Sequence, residues 1–234
     1  MNMNTPTTNS PHQFSVAVAA ANSAILKQVT QKIRSLGNCC IATTAENGRE
    51  LILDLQKVSQ PIGIVVVSMQ MPSSDGLLTT TLCKKLFPTS SIIGFSEEAS
   101  PTLISDFFAE GGDGFFTLGA ETITCLPNSA TGLQQLLAAM CKGVLPKHLS
   151  YNDSIGTQQI IKQKFHHFST QDILYLQLNA AGFTREQMAT IMYKSVSCIK
   201  KHYAKLTMYF GTQSSYDLAA ISINLGIVKV AKLY

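Results

Sequence analysis

The sequence predicts an α/β domain, a doubly wound five-stranded parallel sheet, followed by a smaller all-α domain of four helices. Three observations carry this expectation. Short β-branched runs alternate with helical segments through the first part of the chain. The remainder reads as helices set off by capping residues and glycines. Charge divides at the same place. Residues 1–145 hold 8 Lys/Arg and 10 Asp/Glu, whereas residues 146–234 hold 10 and 4, so balances of −2 and +6 make up the net +4. Such asymmetry directs the second half at a polyanion.

The elements follow in order. Ser15–Ala20 (SVAVAA) is the first strand, and Ala24–Leu36 the helix behind it, ending at Gly37. Cys39–Thr43 and Arg49–Ser59 make the second pair. Ile62–Val67 is the third strand, an uninterrupted apolar run of the kind buried on both faces of a parallel sheet. Helix Leu77–Phe87 follows, with Asp75 placed to cap it. Ser91–Phe95 with Pro101–Glu110, and Gly114–Thr117 with Thr131–Cys141, complete five strands and five helices. Phe115, in the fifth strand, is a core residue.

Composition bounds the rest. Hydrophobic residues are 45% of 234 and charged ones 14%, enough for a sizeable core. No apolar run approaches the roughly 18 residues of a membrane span. The opening MNMNTPTTNSPHQ is polar and lacks the apolar centre of a signal peptide, so residues 1–13 are expected to be a flexible arm of a cytoplasmic protein. Six cysteines without a C-x-x-C pair read as reduced thiols, and the neighbours Cys39 and Cys40 point to opposite faces of a strand. Residues 145–167 form a linker, and its adjacent His166 and His167 lack the spacing for chelation from a helix face. No metal or cofactor is expected.

The loop after the third strand, SMQMPSSDG, poses the main question of this half: a serine stands at the sheet edge where open α/β proteins do their chemistry. Together with SIIGFSEE and GGDGFFTLGA in the same order, it resembles the receiver domain of bacterial response regulators over residues 14–144, a flavodoxin-like fold. The resemblance implies a phosphoacceptor aspartate at position 68, an acid pair after strand one, a Ser/Thr after strand four and a lysine after strand five. Here these positions hold Ser68, Ala20 and Ala21, Ser96, and Leu118. Only Ser96 conforms. No acidic residue precedes Glu46, so a shifted register restores nothing. Aspartyl phosphorylation needs a carboxylate nucleophile, a metal held by oxygen ligands and a cation. A degenerate receiver that works without phosphate is therefore expected. Control would then come from abundance, from a partner protein, or from a small ligand in the vacated pocket.

In the second half, Ser169 and Asp172 form a capping box before a helix rich in Ile173, Leu174, Leu176 and Leu178, which Gly182 stops. Thr184 caps REQMATIMY, Ser195 caps VSCIKKHYAKLTMYF, Gly211 stops that helix, and a last helix covers Ser215–Leu225. Two short helices with a tight turn between them, the second basic, are the grammar of a helix-turn-helix. FSTQD, Met188-Ala189 and S-V-S-C-I-K-K-H from Ser195 to His202 resemble the LuxR-type helix-turn-helix of NarL/FixJ-class regulators over residues 168–228. The family's Lys-Leu ending is replaced by Tyr209-Phe210. The resemblance implies double-stranded DNA as partner and a homodimer on two half-sites. Lys200 and Lys201 are expected in the groove, with Ser197 as a base contact. Lys194, Thr184 and Lys205 are expected on phosphates, and His202 either on DNA or at the helix edge. The alternative for the whole chain is an adaptor that docks a partner through its receiver remnant. No nucleophile–base set points to an enzyme.

Overall fold

The computed structural model describes residues 14–35, 37–71, 75–98, 100–118 and 168–230. The arm, the helix expected over 131–141, the linker with His166 and His167, and residues 231–234 lie outside them.

The first domain is the expected α/β sheet. It comprises β1 (Phe14–Ala19), α1 (Ser23–Arg34), β2 (Cys39–Ala45), α2 (Gly48–Lys57), β3 (Ile64–Ser68), α3 (Gly76–Leu86), β4 (Ser91–Ser96), α4 (Pro101–Ala109) and β5 (Gly114–Thr117). The strands are parallel in the order β2-β1-β3-β4-β5. That order places the topological switch between β1 and β3, beside Ala20 and Ser68 at their C-terminal ends. Period-two alternation sorts the side chains. Val16, Val18, Ile64, Val66, Ile93 and Phe95 face α1, with Val29 and Ile33. Ala17, Ala19, Val65, Val67 and Ile92 face the other layer, with Leu51, Leu55, Leu82 and Phe107. Phe115 is fully buried, edge-on to Phe107 at 5.4 Å, as a core residue should be.

The second domain comprises α5 (Thr170–Ala180), α6 (Arg185–Ile191), α7 (Val196–Phe210) and α8 (Ser215–Asn224). All eight described helices start at an Asn, Asp, Ser or Thr cap whose side chain accepts a backbone N–H. This explains why the helix starts were readable. Helix α6 ends two residues earlier than the sequence pattern suggests. Tyr193 adopts φ 52° there, and its N–H and that of Lys194 return to the carbonyls of Thr190 and Ala189. This is a Schellman closure with tyrosine where glycine is the usual residue.

Candidate nucleic-acid interface

Two sites were expected, and they differ in kind. At the sheet edge, Ser68 is 3% exposed and its hydroxyl donates to the Gln70 carbonyl at 2.9 Å. The Ser96 hydroxyl likewise donates to the Glu98 carbonyl. Ala20 is fully buried, Ala21 half-buried, and Leu118 pairs its N–H with the Ser96 carbonyl at 2.8 Å. Asp75 caps α3 through the N–H groups of Leu77 and Leu78. Gly76 then lets α3 approach β3 closely, for a Cβ there would strike the Ser68 carbonyl oxygen and lie 2.5 Å from Met69 Cα. Thus Asp75-Gly76 holds α3 close against the end of β3. A Mg²⁺ ion needs several oxygen ligands, and two alanines plus a hydroxyl already turned to its own loop do not fit one.

The helical domain builds a different surface. In α7, Ile199 and Leu206 are fully buried, whereas Ser197, Lys200, Lys201, Ala204, Lys205 and Met208 are exposed along the opposite stripe. Ser195 starts the helix by accepting the Cys198 N–H at 3.2 Å, and Gly211 ends it at φ 65°. The exposed stripe is about 22 Å long over 15 residues, with Lys200 and Lys201 in its N-terminal half and Lys205 beyond its middle. Helix α6 crosses behind it through Met188, Ala189 and Ile191, all buried. Thr184 caps α6 in a reciprocal box with Gln187, and both Thr184 and Lys194 are exposed at its two ends. The departure at Tyr209-Phe210 has a packing reason: both rings meet Phe168, at 4.8 and 5.5 Å, and tie the end of α7 to the domain's first described residue.

Two of the expected DNA contacts also carry a contact within the domain. His202 Nδ1 lies 2.8 Å from Asp172 Oδ1, its side chain is 17% exposed, and its ring stacks on Tyr175. Lys205 Nζ lies 2.5 Å from Asp172 Oδ2. Both therefore tie α7 to α5 through a carboxylate that is 1% exposed, His202 at the helix edge and Lys205 with one of its three N–H donors while its side chain stays half exposed. Burial of the Asp172 carboxyl pushes its pKa up, but hydrogen bonds from Lys205, His202 and Ser169 together outweigh that and hold it at about 2. The sequence reading found Asp172 as a helix cap and missed this second role, because its partners lie 30 and 33 residues away. Of the seven expected contacts, Lys200, Lys201, Ser197, Lys194, Thr184 and Lys205 stand exposed around α6 and α7, and His202 is half-buried.

The two domains touch through the α2–α3 side of the sheet. Lys85 Nζ meets Gln177 Oε1 at 2.5 Å, Lys229 Nζ meets Glu110 Oε1 at 3.2 Å, and Arg49 Nη1 donates to the Gly182 carbonyl at 3.1 Å. None of these contacts uses the exposed stripe of α7.

No protein-family model matches the chain. The chain is 26% identical over 106 residues to the two-component response regulator ORR41 of Oryza sativa subsp. japonica, spanning 45% of this chain and 77% of the relative. The RcsB response regulator of Salmonella typhimurium superposes with a TM-score of 0.48 at 21% identity, covering 90% of this chain and 98% of that one. An RcsB–DNA complex gives 0.48 at 20%, covering 93% and 100%. The isolated REC domain of RcsB from Salmonella enterica serovar Typhimurium gives 0.48 at 21%, covering 56% and 90%.

Proposed function

We propose that this chain is a DNA-binding transcriptional regulator of the response-regulator type, acting as a homodimer on two half-sites through a receiver-like domain that works without aspartyl phosphorylation. One observation carries the DNA-binding part. The lysines Lys200 and Lys201 project from the N-terminal half of a capped helix whose opposite side is anchored by the buried Ile199 and Leu206, in the geometry that suits a helix to a major groove. The domain's net positive charge supplies the sequence-independent attraction. The relative named as a two-component response regulator supports the receiver assignment of the first half. Independence from phosphate is supported by the residues at the sheet edge. A buried hydroxyl bonded within its own loop, beside two alanines, offers neither nucleophile nor metal ligands.

The lysines act as donors to phosphates or guanine edges, and Ser197, one turn before Lys201, meets either. Since α7 offers no arginine toward the groove, base discrimination rests more on DNA shape and on the spacing of two half-sites. The test is the double substitution Lys200→Ala/Lys201→Ala in the full chain, read by fluorescence anisotropy on duplex DNA and by circular dichroism. The expected result is an affinity at least tenfold lower, about 1.4 kcal/mol, with the fold retained. Unchanged affinity in the folded variant would overturn the placement of the recognition helix.

A further inference from the structure

Beside the helix-turn-helix runs a groove of about 690 Å³ that both domains line. Arg49 comes from α2, and Thr184, Arg185, Ser215 and Tyr216 come from the helical domain. Among its described lining residues are two guanidinium groups and no carboxylate. Resting on the DNA-binding reading above, we propose that the DNA-backbone surface runs off the helical domain onto α2, where Arg49 holds a phosphate flanking the segment that α7 reads.

Continuity is the first argument. Tyr203 lies one helical turn beyond Lys200 on α7, and the Arg185 guanidinium sits 4.8 Å over its ring. Arg185 follows Thr184, the exposed cap of α6. Two residues before that cap, the Gly182 carbonyl accepts from Arg49. A track of cations, Lys200, Arg185 and Arg49, therefore leads from the recognition helix to the other domain, with one exposed carboxylate, Glu186, beside Arg185 and Lys200.

The second argument is placement. Arg49 is the second residue of α2, against the positive end of the helix dipole, where an acidic side chain would be favoured. Its charge thus does not serve its own helix. The third argument is the guanidinium itself. It carries five N–H donors in a planar fork, one of which goes to Gly182, and this fork suits bidentate contact with a phosphate. The contacts Lys85–Gln177 and Lys229–Glu110 join the same two domains, and Arg49 lines the groove between them.

The experiment titrates the full chain against a fluorescent mixed-sequence duplex of about 30 base pairs across a salt series, because phosphate contacts are independent of sequence. Arg49→Gln keeps an N–H donor for the Gly182 carbonyl and removes the charge, whereas Arg49→Lys keeps the charge. The expected result is a slope of log affinity on log salt reduced by about one in Arg49→Gln and preserved in Arg49→Lys. A wild-type slope in Arg49→Gln, while Lys200→Ala/Lys201→Ala loses affinity, overturns the role of Arg49 and leaves the recognition helix standing. No loss in either variant overturns both.

Discussion

Replacing Asp172 should destabilise the helical domain, and the structure allows the size to be worked out. The carboxyl is 1% exposed, caps α5 through Ser169, and holds His202 and Lys205 of α7. It titrates at about 2, against 3.8 for an ordinary aspartate. By linkage that difference amounts to about 2 kcal/mol of folding stability at neutral pH. The capping bonds are already contained in this figure. In Asp172→Ala the Lys205 ammonium is not stranded, since its side chain is 52% exposed and can turn to water. The expected loss at pH 7 is therefore about 2–3 kcal/mol, or about 10–20 °C in the Tm of a domain this small. The sign with pH follows from a lowered native pKa. The contribution is complete above pH 3.8 and disappears as pH falls toward 2, so wild type should lose stability through that window more steeply than the variant. Urea unfolding followed by circular dichroism, repeated from pH 7 down to 2, measures both. Asp172→Asn, which keeps the shape, isolates the charge. A loss below about 1 kcal/mol at pH 7, or parallel acid limbs, would refute the reasoning.

Other outcomes are expected elsewhere in the chain. Tyr193→Gly should raise stability by about 0.5–1 kcal/mol in urea, because the φ of 52° suits glycine, and an unchanged midpoint would mean the turn is unstrained. Ser68→Asp should not create a phosphoacceptor. With Ala20 and Ala21 alongside, acetyl phosphate and Mg²⁺ should leave the mass unchanged, and a stable gain of about 80 Da would contradict this. The same substitution buries a carboxylate in place of a bonded hydroxyl and should lower stability by about 1–3 kcal/mol in thermal melts. Gly76→Ala should cost about 1–3 kcal/mol by forcing α3 away from the Ser68–Met69 backbone, and a neutral result would show that α3 shifts freely.

What the sequence disclosed and what it withheld divide along a physical line. Ile62–Val67 announces a doubly buried strand because every residue in it is apolar, and Ser169, Thr184 and Ser195 announce helix starts because a cap is a local device. Strand ends were less legible. Ser68 belongs to β3 and the pairing of β2 continues to Ala45, since hydrogen bonds to a neighbouring strand, not local hydropathy, set those limits. The exposed lysines of α7 could be found from periodicity. The engagement of His202 and Lys205 could not, because it depends on a carboxylate two helices earlier, and nothing in KKHYAK marks which cations meet it. Arg49 was read simply as the start of a helix. Its bond to Gly182 joins residues 133 positions apart and follows only from how the domains meet. The turn at Tyr193 was hidden by its residue type, which by itself signals no left-handed conformation.

The most direct test of the central claim is selection of bound duplexes from a random pool by the full-length protein, followed by titration of the selected duplex across salt. The expected result is a two-part motif with half-sites about one helical turn apart, bound with a steep salt dependence. Failure to enrich any sequence, with the protein shown folded and its affinity for all duplexes weak, would contradict the regulator and leave a chain that acts by docking a protein partner.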